Sequence, residues 1–182
     1  MAMYLGSKKV AVTNTIEKQI PSMKAFFEAG GKCQGSNATS FEGCWQYDDT
    51  ANVTDMDSMF SSCLSLTTVP LFDTANVKYM ASMLYGCSKI TTVPRFDTSK
   101  VTNMNYMFSN CNNLEEIHMI NINANLDISA STKFTREALL EIIGNLKAQT
   151  SGTKTLTMGS TNLKKLTDED KAIATNKGWT LA

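Results

Sequence analysis

DTANVTDMDSMFSSCLSLTTVPLF (residues 49–72), DTANVKYMASMLYGCSKITTVPRF (73–96) and DTSKVTNMNYMFSNCNNLEEIHMI (97–120) are three copies of one 24-residue pattern. Superposing them aligns Val53/Val77/Val101, Met56/Met80/Met104, Met59/Met83/Met107, Cys63/Cys87/Cys111 and Phe72/Phe96/Ile120. Nearly every matched column is apolar, so the shared pattern is a packing instruction. A unit this small cannot bury its own apolar face and must stack on its neighbours to make a continuous core.

The apolar rhythm changes within each unit, and the change locates the expected elements. Val53, Met56, Met59 and Phe60 follow the i, i+3, i+6, i+7 spacing of a helix with one buried stripe. Asp49 and Thr50 stand before it as capping residues that accept from free backbone amides. Leu66-Thr-Thr-Val69 and Ile90-Thr-Thr-Val93 are β-branched and short, and Pro70 or Pro94 ends each. One turn of the coil is expected to run helix, turn, strand, turn, which predicts an α/β fold.

The stretch Phe96-Asp-Thr-Ser-Lys-Val-Thr-Asn-Met-Asn-Tyr-Met-Phe-Ser-Asn-Cys-Asn-Asn-Leu114 closely resembles the unit of the BspA-type leucine-rich repeat family, found in bacterial surface proteins and some phage or prophage proteins. The resemblance covers residues 49–120. It implies a leucine-rich-repeat solenoid with a short parallel sheet on one wall, helices on the other, and irregular N- and C-terminal caps. Val69-Pro70-Leu71 and Val93-Pro94-Arg95 depart from the family's Leu-Asp-Leu strand.

The 182 residues read as one domain with three parts: an N-terminal cap with a degenerate repeat (1–48), the three repeats (49–120) and a C-terminal helix-strand cap (121–182). Residues 1–14 suggest strand, turn, strand, and Ile16 to Ala29 a helix ending at Gly30-Gly31. Phe41-Glu-Gly-Cys44 repeats the Phe60-to-Cys63 step. Beyond the repeats, Leu126–Ile128 is expected as a strand, Thr135–Leu146 as a helix capped by Thr135, and Thr155–Met158 as a strand. Thr167-Asp-Glu-Asp170 signals a last helix through Asn176, stopped by Gly178 before a final strand Trp179–Leu181. Gly159 to Leu181 also resembles the tails that close BspA-type proteins.

Seventeen basic residues balance seventeen acidic ones, so no field favours nucleic acid or an anionic membrane. Apolar runs are short, so neither membrane insertion nor a signal peptide is expected. The cysteine row at 63, 87 and 111 lacks CxxC geometry and is expected as buried free thiols. With Cys33 and Cys44 the count is five, which argues against a complete disulfide framework. The Asp49/Asp73/Asp97 column is expected to cap helices, since its spacing fits no EF-hand. His118, the single histidine, has no second histidine to share a metal. No nucleophile elbow, phosphate loop or HExxH occurs, so no catalytic residue, metal or cofactor is expected.

Two functional classes remain. The first is a non-enzymatic binding module of a bacterial surface or phage tail-type protein, presenting the strand face to a protein or cell-surface glycan. Its candidate contact residues are Thr68, Pro70, Thr92, Pro94, Glu116 and His118, expected to point outward beside inward Val69, Val93 and Ile117. Lys78 and Asn105, on the expected helix wall, should be silent. The second class is a structural or decoration subunit of a virion or surface assembly with no ligand on the repeat face. A homo-oligomer is compatible with either, and multivalent display would compensate for a small surface. The lack of a signal peptide and the opening residues favour a virion over a bacterial cell surface.

Overall fold

Two columns of the repeat carry left-handed backbone in a computed structural model, which describes residues 2–5, 8–11, 39–40 and 50–182. Ser58, Ser82 and Tyr106 have φ of 58°, 54° and 59°, and Ser62, Gly86 and Asn110 have 61°, 74° and 63°. A right-handed helix cannot pass through two such residues four apart. The segment expected as a helix, Val53–Phe60 with its counterparts, is therefore a run of tight turns. Met59 N–H donates to Met56 O (3.2 Å), Ser61 to Ser58 O (3.1 Å) and Cys63 to Phe60 O (3.1 Å), each three residues back. Apolar residues every three positions are buried by successive three-residue turns as well as by a helix, so burial was correctly expected and conformation was not.

The alternate N–H groups point to the next unit. Met56, Ser58, Phe60 and Ser62 donate to the carbonyls of Tyr79, Ala81, Met83 and Tyr85 at 2.7–2.9 Å. Met80, Ser82, Leu84 and Gly86 repeat the ladder to Asn103, Asn105, Met107 and Ser109 at 2.8–3.2 Å. Half the backbone donors thus close turns and half tie neighbouring units, which satisfies the polar backbone that a helix would have satisfied internally.

The expected leucine-rich-repeat solenoid, with a sheet on one wall and helices on the other, is corrected by these turns. Among the described residues no α-helix occurs before Arg136. Extended structure in the repeats is confined to β3 (Thr92–Val93), parallel to β4 (Glu116–Ile117), with isolated bridges such as Asp55–Tyr79–Asn103. Leu66–Val69, expected as a strand, has no regular structure. The fold is weakly α/β, with two short parallel sheets.

At the N-terminus β1 (Ala2–Leu5) and β2 (Lys8–Ala11) form an antiparallel hairpin. The helix expected at Ile16–Ala29, the Phe41–Cys44 step, Cys33 and Asp49 lie outside the described residues. The chain after the repeats contains β5 (Leu126–Asp127), α1 (Arg136–Gly144), β6 (Lys154–Thr157), α2 (Gly159–Leu163), α3 (Asp168–Asn176) and β7 (Trp179–Leu181). β5, β6 and β7 make a parallel sheet in that order. Thr135 caps α1, its hydroxyl accepting from Ala138 N–H at 3.1 Å. Thr167 and Asp170 form a reciprocal capping box on α3. The Asp170 carboxylate also takes two hydrogen bonds from Arg136 (2.8 and 2.6 Å), locking α3 to α1. The Lys177 ammonium donates to the Ile143 and Gly144 carbonyls at the end of α1.

One apolar core runs from Val53 to Trp179 without a break. Phe60, Phe72 and Phe96 are fully buried, with consecutive ring centroids 5.8 Å apart. The Thr50/Thr74/Thr98 column is also buried. Thr74 and Thr98 hydroxyls donate to the Asp97 and Ile120 carbonyls, each at 2.9 Å, and the Thr50 hydroxyl accepts from Asp73 N–H at 2.8 Å. Thr50 and Thr74 thus stitch one unit to the next, and Thr98 ties the start of the third unit to its end.

Candidate binding surface

Strand alternation was to place six side chains on one outward face, and the structure sorts them into two groups. Thr92, Glu116 and His118 come together on the β3–β4 pair. The Thr92 hydroxyl lies 3.5 Å from Glu116 Oε2, and the same oxygen is 3.5 Å from His118 Nε2. Thr68 is exposed, but its hydroxyl is paired with Ser40 Oγ at 2.9 Å, away from this cluster. Pro94 is half-buried. Pro70 is buried, which removes it from an outward face: with no strand at 66–72, side-chain alternation does not apply there. Met119, which stands in the place of Leu71, is fully buried, whereas Leu71 is exposed. α1 packs against β4 at this end.

That helix contributes the group sequence reasoning missed. Glu141 Oε1 lies 2.8 Å from His118 Nδ1, so the imidazole bridges two carboxylates from different elements. The hydrogen bond and charge of Glu141, with the charge of Glu116, raise the His118 pKa above its ordinary value against a smaller opposing effect of burial. Glu137 and Glu141 lie four apart on the polar face of α1, which was the available signal. Nothing in the sequence places that face over residue 118, 23 positions earlier.

The cysteine row has the expected character. Cys63, Cys87 and Cys111 are buried free thiols. Cys87 donates to Phe60 O at 3.1 Å and Cys111 to Leu84 O at 3.0 Å. Burial pushes the Cys111 thiol up to about 12 and, aided by the neighbouring thiols, pushes Cys87 higher still. Among the described residues no group of three or more histidine, cysteine or acidic side chains is arranged to hold a metal. The Asp73 and Asp97 carboxylates cap turns rather than helices, accepting from Ala75 N–H (3.1 Å) and Ser99 N–H (2.9 Å). The methionine columns at 56, 80, 104 and at 59, 83, 107 are buried.

Residues 21–138, more than half of the chain, match the family model described as Mycoplasma protein of unknown function, DUF285, and the chain belongs to that family. No curated protein matches it, and no solved structure does. Among the described residues no helix is long and apolar enough to cross a membrane.

Proposed function

We propose that this chain is a non-enzymatic recognition module, related to the BspA-type repeat proteins and carried on a bacterial cell surface or a phage tail-type assembly, that engages a protein or glycan partner. The observation that carries the reading is the division of labour along the repeat. The matched columns are committed to stacking, while the third unit replaces Thr-Thr and Pro with Glu115, Glu116 and His118 and gathers Glu141 beside them. An exposed acidic edge with one imidazole, beside the Thr92 hydroxyl, suits a partner offering cationic or hydroxyl groups. The balanced net charge gives no attraction to nucleic acid.

The test is sedimentation of purified protein with intact host cells or virions. Wild type should co-sediment, and Glu116→Ala with His118→Ala should weaken that binding. The melting midpoint should hardly move, because exposed substitutions usually change stability by under about 0.5 kcal/mol. Lys78→Ala should bind as wild type does. Binding that survives the double change, or incorporation into the particle without any ligand dependence, would favour the structural-subunit role instead.

A further inference from the structure

The inter-unit ladder stops at the third repeat, and a groove opens where it stops. By the offset of the earlier units, Met104 and Tyr106 N–H would donate to the carbonyls of Asp127 and Ser129. They have no partner among the described residues. Asp127 instead pairs with Thr157 in the parallel β5–β6 register, and Ile128 N–H donates to Thr157 O at 2.8 Å. Between the diverging segments lies a groove of about 310 Å³ lined by Met104, Asn105, Tyr106, Asn125–Asp127, Thr155 and Thr157.

The lining is rich in unpaired polar groups. The side chains of Asn105, Tyr106, Thr155 and Thr157 have no hydrogen-bond partner among the described residues. Asn125 uses its Oδ1 to accept from Thr155 N–H (2.9 Å), which leaves its amide donors open. Asp127 uses Oδ1 for Ser129 and leaves Oδ2 open. Tyr106 is 68% exposed and stands at φ 59°, in the column where the first two units carry serine. A bulky residue is disfavoured in the left-handed region, and such outliers collect at ligand sites. The large ring occurs in the one unit that borders the groove.

We propose that this groove is a saccharide-binding site, distinct from the His118 cluster, that takes a neutral sugar. A sugar offers hydroxyls that both donate and accept, matching a mixed set of amide and backbone donors, threonine hydroxyls and one carboxylate. Its C–H face packs on the negative face of an aromatic ring, the role assigned to Tyr106. No lysine or arginine lines the groove and Asp127 does, so an anionic ligand is repelled. The volume is at the low end of the roughly 300–1,000 Å³ range of small-molecule sites, which suits a sugar better than a long peptide.

The experiment is saturation-transfer NMR with a panel of methyl glycosides of neutral hexoses and N-acetylhexosamines and the matching uronic acids. Amide hydrogen exchange on the same samples reports the backbone. At least one neutral glycoside should bind at millimolar concentration, slow exchange of the Met104 and Tyr106 amides, and outcompete its uronic acid. Tyr106→Asn should weaken binding about tenfold or more while leaving the melting midpoint unchanged or higher, because asparagine tolerates positive φ. Thr157→Val should weaken it roughly 3- to 10-fold with an unchanged melt. His118→Ala should leave glycoside binding intact, so this site and the strand-face reading fail separately. The proposal is overturned if no neutral glycoside binds, if a uronic acid binds better, or if folded Tyr106→Asn binds like wild type. Extended peptides that protect these amides where no glycoside does would overturn it equally.

Discussion

Ser82 stands at φ 54° in the central unit, with its N–H donating to Asn105 O at 2.8 Å and its carbonyl accepting from Tyr85 N–H at 3.1 Å. Its hydroxyl has no partner among the described residues, so replacing it by glycine removes no side-chain hydrogen bond. A non-glycine residue in the left-handed region costs about 1–2 kcal/mol, and glycine returns about 0.5–1 kcal/mol of that as extra unfolded-state freedom. Ser82→Gly should therefore stabilise the protein by about 0.5–1 kcal/mol. Were the segment helical, the same change would destabilise it by about 0.5 kcal/mol. Ser82→Val should cost about 2 kcal/mol or more, since a β-branched residue is least tolerated at positive φ. Urea unfolding followed by circular dichroism reads both, with an unchanged m-value as the sign that only stability moved. A glycine variant that is less stable than wild type, together with a tolerated valine, would refute the turn architecture and restore the helix.

Two further outcomes follow from packing and from charge. Phe72→Ala should cost about 3–5 kcal/mol, towards the upper end because the ring sits between Phe60 and Phe96 at 5.8 Å from each; a loss under about 1 kcal/mol in urea melts would mean the column is not continuous core. The raised His118 pKa means that its ion-pair stabilisation is fully present below the unfolded value of about 6.5 and fades as pH rises through the folded value. The His118 side chain is 38% exposed and Glu141 43%, so solvent screening limits the effect to a few tenths of a kcal/mol. The single histidine makes the NMR titration unambiguous: it should titrate above about 6.5 in wild type and lower in Glu141→Gln. Equal values in the two proteins would remove the pair.

Burial was legible wherever it repeats, because a column of apolar residues has one physical use. Val53, Met56, Met83, Cys87 and Phe96 are all fully or almost fully buried, as their periodicity implied. Conformation was not legible from that rhythm, because three-residue turns and a helix bury nearly the same positions. Serine at 58, 62 and 82, glycine at 86 and asparagine at 110 were the available signal for left-handed turns, since small and amide residues tolerate positive φ. The C-terminal elements were legible because their ends carry capping chemistry. Thr135, Thr167 with Asp170, and Gly178 fix boundaries locally, without help from the rest of the chain. The short α2 escaped because no such signal opens it: Met158 makes no side-chain cap. Glu141 stands 23 positions from His118, and the groove joins Met104–Tyr106 to Asn125–Asp127, Thr155 and Thr157; single-chain spacing does not encode which distant faces meet.

The direction of the ladder explains why unspent chemistry collects at one end of the repeats. In the first two units the N–H donors of the turn segment reach forward to the next unit, so the last unit must display donors unless something supplies carbonyls. On its strand side the chain does continue the pairing: Ile120 N–H donates to Phe96 O, Ile122 N–H to Asn145 O and Lys147 N–H back to Ile122 O. That closure brings α1 over β4 and carries Glu141 to His118. On the turn side the chain leaves for β6, and Met104 and Tyr106 keep their donors. A stack that closes one side and opens the other creates its acidic cluster and its polar groove by the same departure from periodicity. Inserting one further 24-residue unit after Ile120 would therefore be expected to pair those donors and separate His118 from Glu141 together.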